Sequence, residues 1–460
     1  MRFALEILMG LKVTWAAKWD SPRKAEDGCH WNVVVNMKSK RDSEANSDET
    51  LRSSVGSVIE VKVVDVAESQ QQAADEFPEG GLQAWLTVVG SYINAFGVYQ
   101  DFYVREYLQN STPSSIGWIG GTQIFLNFSM GLFTGRAFDR GYFVILHAIA
   151  LFMLSLSHPG SYYQVFLTNG VALGAACGIT YIPSLGIVSH YFHRRRAIAI
   201  GIVSSGSALG AILHPIMLNR LFHSHLGFHN GVRVSACINV TLLVVASLIM
   251  RTRLPPKAVQ KFPIIEWLKE PPYLLLLIAG LFSFLGLFFP VFYLQLNAIT
   301  HGVDKKFAFY ALSILNAASV CGRMIPNALA PKLGLFNLLV FFTTGTGVSV
   351  LCMAAMRDAT STALFAIFFG FCSGACIALV PATIGLLSKD MNEFGTRLGL
   401  FFGIGGVLGL FATPISGALL TSEFRWINAI LFSGITLIIS GLFYTISRCY
   451  IARRKNTQIL

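Results

Sequence analysis

Past residue 84 the chain is written as long apolar runs separated by short polar joints. Twelve runs can be bounded, near 85–100, 114–135, 142–157, 162–188, 197–219, 232–250, 273–298, 307–330, 335–356, 362–387, 397–420 and 426–446. A helix rising about 1.5 Å per residue crosses a hydrocarbon core of about 30 Å in about 20 residues, so the pattern predicts an all-α membrane protein with twelve transmembrane helices. The first and third runs hold only 16 residues each. They reach about 24 Å as helices, so they must borrow flanking residues or have lost some.

The polar stretches divide the chain. Residues 1–77, rich in Ser, Asp, Glu, Lys and Gln, predict a disordered cytoplasmic tail. The joint 251–272, "RTRLPPKAVQKFPIIEWLKEPP", is basic and marked by prolines. It predicts a cytoplasmic linker between two six-helix bundles, 78–250 and 273–446, with a second cytoplasmic tail at 447–460. The two halves repeat one another. An offset of 199 residues lays Gly206, Gly210 and Pro215 on Gly405, Gly409 and Pro414, and Gly186 and Ser189 on Gly385 and Ser388. Glycines four apart let helix backbones approach, and an internal proline loosens the helix where it must bend. Two parallel bundles about a central site are the architecture of carriers that rock one half against the other.

Composition sharpens this picture. With 53% hydrophobic and 13% charged residues, the chain is too apolar for a soluble protein of several domains. The net charge of +11 does not indicate nucleic acid: residues 1–84 hold 14 of the 24 acids but only 10 of the 35 basic residues. The rest of the basic residues cluster at span ends. Alternate connections, counted with the C-terminal tail, hold 18 Lys and Arg against 7 in the opposite set. Both termini are therefore expected in the cytoplasm. Of the eight cysteines, six fall within apolar runs and none sits in a metal-ligand pattern, so no metal or cofactor is expected.

Polar residues deep in the spans are the candidate chemistry, because they are expensive there. Arg323 lies eight residues before Pro331 in the eighth run, about 12 Å inside the face on which that helix ends. A permanently charged, forked guanidinium at that depth suits a carboxylate solute. Ser319 stands one turn earlier and Asn316 two turns earlier on the same face. Asn94, Gln123, Asn127, His214 and Tyr293 are the further candidate solute contacts.

Three stretches carry a family resemblance. "GRAFDRGYF", with Gly135, Asp139 and Arg140, resembles the charged loop between the second and third helices of the major facilitator superfamily. There, the resemblance implies, the acid and the arginine act as a conformational latch. The counterpart "NALAPKLG" has Pro331 where an acid is expected, so the latch is one-sided. "PEGGLQAW", with Glu79, Gly80, Gly81 and Trp85, and "YFHRRRAIAIGIVSSG", with Tyr191, Phe192, Arg194, Arg195, Arg196, Gly201 and Gly206, look like the two signatures of the monocarboxylate transporter-like family, especially its fungal branch. This resemblance implies a secondary carrier of a small organic anion, often moved with a proton, or of a neutral solute in divergent members. It also implies an anion-binding arginine at Arg323. The arginine triplet is expected to anchor to lipid phosphates.

Two departures bear on coupling. An acid expected one turn before Arg323 is replaced by Ser319, and a lysine expected in the first helix is replaced by Asn94. With only Asp101 and His214 as substitute proton carriers, transport is expected to need no obligatory protein-borne proton. The partners expected are a small solute and the bilayer, with no nucleic acid, and the plasma membrane is expected ahead of the vacuole. An intramembrane enzyme is disfavoured by the lack of paired aspartates, H-E-x-x-H or a Ser–His pair in the spans. A non-transporting sensor on the same fold is the main alternative class.

Overall fold

Backbone groups in hydrocarbon find no water, so each apolar run has to close its own hydrogen bonds, and it does so as a helix. The computed structural model describes residues 81–94, 113–130, 142–158, 161–188, 191–192, 195–250, 263–388, 391–420 and 425–455, all within one compact unit, 77–460. Among these residues every regular element is helical. The spans are α1 (Leu82–Asn94), α2 (Pro113–Ser129), α3 (Tyr142–Leu154) and α4 (Tyr162–Val188, with a π-helical stretch at Phe166–Leu173). They continue as α5 (Arg196–Phe222), α6 (Gly227–Ile249), α7 (Pro271–Thr300) and α8 (Lys305–Leu333). The last four are α9 (Leu335–Cys352), α10 (Ala359–Leu387), α11 (Met391–Leu420) and α12 (Trp426–Lys455). A five-residue helix, Ile264–Leu268, precedes α7.

Among the described residues nine helices, α4 to α12, are long and apolar enough to cross a membrane. The helices overrun the apolar windows. α11 starts at Met391 rather than 397, and α12 runs to Lys455 rather than 446. Apolarity marks the depth of hydrocarbon, whereas helical hydrogen bonds continue into the polar interface. Carboxylates are used at helix starts, where the free backbone N–H groups attract negative charge. Asp304 accepts from the amides of Lys306 and Phe307 at 3.0 and 3.1 Å, and Asp358 forms a capping box with Ser361. Bonds from the Ser361 hydroxyl and amide hold the Asp358 carboxyl below its usual range.

The halves meet along two seams, α2 on α11 and α5 on α8. Under the internal repeat these are equivalent, the second helix of one half packing on the fifth of the other. Both are backbone-close. A Cβ on Gly121 of α2 would stand 2.3 Å from the Leu410 carbonyl oxygen of α11, and one on Gly409 would meet Ile124 at 2.6 Å. The Thr413 hydroxyl donates to the Gly117 carbonyl across the same seam at 2.9 Å. In the other seam a Cβ on Gly201 would lie 2.6 Å from the Arg323 carbonyl oxygen. Gly405 instead faces the Phe284 ring within the second half. Pro215 and Pro414 lie inside α5 and α11, as the repeat places them.

Gly121→Ala should therefore force α2 from α11, because the obstacle is backbone that cannot swing aside. Its melting temperature in detergent should fall by several degrees. Gly186→Ala, whose Cβ meets nothing within 4 Å, should melt with the parent. Equal melting of both variants would contradict this packing.

Candidate functional site

A cavity of about 220 Å³ opens between the halves, and its two walls differ. The first half supplies polar groups: Gln123 and Asn127 from α2, His147 from α3 and Thr180 from α4. The second half supplies Phe284 and Phe288 from α7 and Phe401 and Phe402 from α11, with Arg323 of α8 among them. Aromatic rings join the walls. Phe128 of α2 stacks on Phe402 with centroids 5.0 Å apart and meets Phe284 edge-on at 5.1 Å.

Arg323 is 8% exposed. Its Nε donates to the Ser319 hydroxyl of its own helix at 3.3 Å, and its Nη1 donates across the seam to the Ser204 carbonyl and the Ser207 hydroxyl of α5. Its Nη2 takes no partner among the described residues, and no carboxylate there pairs with it. A charge at mid-helix costs about 2.5–3.5 kcal/mol on insertion scales. The bonds to serines hold the guanidinium in place, yet its charge meets no counter-ion among the described residues.

A second buried arginine shows the contrast. Arg397 of α11, 1% exposed, pairs with Glu270 at 2.8 Å and with Glu393 at 2.5 Å. It also lies over the rings of Trp267 and Tyr273 at 4.9 and 4.8 Å. That cluster ties the short helix and the start of α7 to α11, away from the cavity. Two carboxylates neutralise Arg397, so its role is architectural.

The other sequence-predicted residues divide. Gln123 and Asn127 line the cavity, and neither side-chain amide makes a hydrogen bond among the described residues. A buried amide group without a partner costs about 1–3 kcal/mol. Ser319 lies behind Arg323, as its support. Asn316 turns back on its own helix, donating to the Leu312 carbonyl at 2.9 Å, and does not reach the cavity. His214 is 2.8 Å from the Asn239 amide of α6, inside the first half, and Tyr293 donates to the Thr413 carbonyl at 3.5 Å. Neither lines the cavity, since both side chains turn into the bundle interiors. The helix of Asn94 is described, its side chain is not. Gly135, Asp139, Arg140, Asp101, Glu79, Gly80 and Arg194 lie outside the described residues.

The two signature segments meet. The Trp85 ring packs edge-on against Phe192 at 5.2 Å, and Tyr191 is buried beside it. Arg195 is exposed, but Arg196 departs from the lipid-anchor expectation. It crosses to the second half and lies over the Phe394 ring at 5.2 Å. Gly385 makes room for it, since a Cβ there would stand 2.8 Å from its Nη1. Gly206 and Gly210 are buried in α5.

Sequence reasoning missed His147, which lines the cavity with Cys177 Sγ 3.7 Å from its Nε2. A histidine inside the run "YFVILHAIALFML" was the available signal. It places an imidazole on the cavity wall, where His214 does not reach.

Two equivalent seams around a central cavity define a polytopic membrane protein built of two packed halves. A family model described as Major Facilitator Superfamily matches residues 83–401, and the chain belongs to that superfamily. It is 36% identical over 382 residues to the aspyridones efflux protein apdF of Emericella nidulans, covering 80% of this chain and 78% of that protein. To the MFS-type transporter dbaD of the same organism it is 35% identical over 387 residues, covering 80% and 86%. The agnestins efflux protein AgnL12 of Paecilomyces divaricatus is 33% identical over 389 residues, covering 80% and 87%.

The placement of side chains is open to a direct check. In a variant with its cysteines replaced, Asn127→Cys and Thr180→Cys should react with a small membrane-impermeant thiol reagent during turnover. His214→Cys and Tyr293→Cys should stay unreactive. The reverse pattern would move the site out of this cavity.

Proposed function

We propose that the chain is an alternating-access secondary carrier of a small organic acid, a monocarboxylate in its simplest form. Within the superfamily we place it with the monocarboxylate transporter-like carriers. The observation that carries this reading is Arg323, a buried cation at the cavity without a carboxylate partner among the described residues. A solute carboxylate supplies the missing charge and accepts from the fork. Support for the family placement comes from Trp85 and Phe192, which bring the two signature segments into contact. The efflux named in two relatives favours outward flux. A neutral solute is the second reading, favoured by the aromatic wall of Phe284, Phe288, Phe401 and Phe402.

Binding and release follow from the seam. The Ser204 carbonyl and Ser207 hydroxyl of α5 hold Arg323. A carboxylate is the stronger acceptor, so its arrival competes for the same donors and loosens α5 from α8. Binding thus biases the halves toward the opposite opening. We further propose that both termini are cytoplasmic, that residues 251–272 link two bundles on that side, that Asp139 and Arg140 latch it, and that the carrier resides in the plasma membrane.

Arg323→Lys keeps the charge but loses the fork, and should reduce carboxylate flux roughly tenfold at unchanged surface expression. Arg323→Ala should abolish it. Parental flux of organic acids by the alanine variant in reconstituted vesicles would sink the anion assignment. For sidedness, a tag inserted within 101–113 should be labelled on intact cells and a tag at either terminus should not. Labelling of an N-terminal tag would invert the topology.

A further inference from the structure

The polar wall of the cavity has no use in the reading above. Gln123 and Asn127 stand one turn apart on α2, both line the cavity, and neither amide is hydrogen-bonded among the described residues. Gln123 is 7% exposed, and its Oε1 is buried without a partner. Asn239 and Asn327 use their amide nitrogens on His214 and the Arg323 carbonyl, and Asn169, Gln295 and Asn297 also bury amide atoms without a partner among the described residues, but none of these five lines the cavity as Gln123 and Asn127 do. Beside the two free amides Thr180 donates its hydroxyl to the Cys177 carbonyl at 2.7 Å, which leaves the oxygen able to accept. Facing them, the second half presents four phenyl rings and the Arg323 guanidinium, with Ser283, Cys376 and Tyr444 beside them.

We propose that Gln123 and Asn127 form a second recognition pole, so that the solute is two-ended: an acidic oxygen at Arg323, an aromatic or similarly flat apolar body against Phe284 and Phe402, and a hydroxyl, carbonyl or amide that completes the α2 amides. This rests on the reading of Arg323 as the anion site and narrows its substrate class from plain monocarboxylates to hydroxylated or carbonyl-bearing acids. Each carboxamide offers both an acceptor oxygen and a donor nitrogen, so the pole accepts either polarity by turning the amide. A site built to hydrogen-bond a solute hydroxyl discriminates against the analogue that lacks it, because its own groups are then left unpaired. The α2 position matters as well. Through Gly121 and Gly409 this helix is packed directly on α11, so the solute's far end lies on one of the two seams between the halves while Arg323 lies on the other. A two-ended acid therefore touches both seams at once, and a short acid touches one.

The test is equilibrium binding of radiolabelled benzoate and para-hydroxybenzoate to the purified full chain, for the parent and for Gln123→Met, Asn127→Leu and Arg323→Lys. Neither amide substitution removes a hydrogen bond among the described residues, and melting curves check folding. The parent should bind para-hydroxybenzoate about tenfold more tightly than benzoate. Gln123→Met or Asn127→Leu should bring that ratio toward one, and Arg323→Lys should weaken both acids together. Equal affinities in the parent, or a preference that survives in both amide variants, would overturn the second pole while leaving the Arg323 reading intact. Affinities untouched in Arg323→Lys would instead remove the anion site on which the proposal rests, and binding of neither acid would count against both.

Discussion

A guanidinium inside a membrane protein needs a counter-charge, and this chain answers that need in two opposite ways. Arg397 is neutralised internally by Glu270 and Glu393 and sandwiched against Trp267 and Tyr273, so it fastens α11 to the start of the second half. Among the described residues Arg323 meets only neutral acceptors, and those come in part from the opposite half. The same residue is thus both the seam's hydrogen-bond donor and an incomplete electrostatic site. Coupling between solute and conformation needs only that these two roles compete.

The proposed competition asks that the seams be able to part. Where Gly121 and Gly201 lack a side chain, backbones approach closely across the halves. Helices in lipid gain no hydrophobic stabilisation from meeting one another, so close backbone packing and a few polar bonds carry the association. Interhelical hydrogen bonds average about 0.6 kcal/mol in membranes, so a seam held by several of them can part in a transport cycle. The aromatic cluster of Phe128, Phe284 and Phe402 adds contact that can re-form with the rings shifted, as stacked and edge-on pairs are close in energy.

The walls of the cavity also show why two similar halves need not be chemically alike. The repeat maps glycines and prolines onto one another, since both halves solve the same packing problem. It does not map Gln123, Asn127 and His147 onto equivalents across the cavity, where phenylalanines and Arg323 stand instead. Shared architecture sets the seams, and divergence between the copies sets what lies between them.

By itself the sequence determined the helices, the repeat and the depth of Arg323. Each depends on local periodicity or on the cost of a charge in hydrocarbon, and both are properties of a segment. The helix limits shifted from the apolar windows by a few residues at most spans, furthest where α11 and α12 run on past them. Only the tertiary structure decided which polar side chains face the same space. His214 and His147 are both histidines within spans, yet one is tied to Asn239 inside a bundle and the other lines the cavity. Nothing in either segment distinguishes them, because the direction a span turns is set by its neighbours. Likewise Arg196 reads as one of three basic residues at a helix entry, and its place over Phe394 follows from a glycine nearly two hundred residues away. Contacts between distant segments are made by packing, and packing is what a single run of residues does not contain.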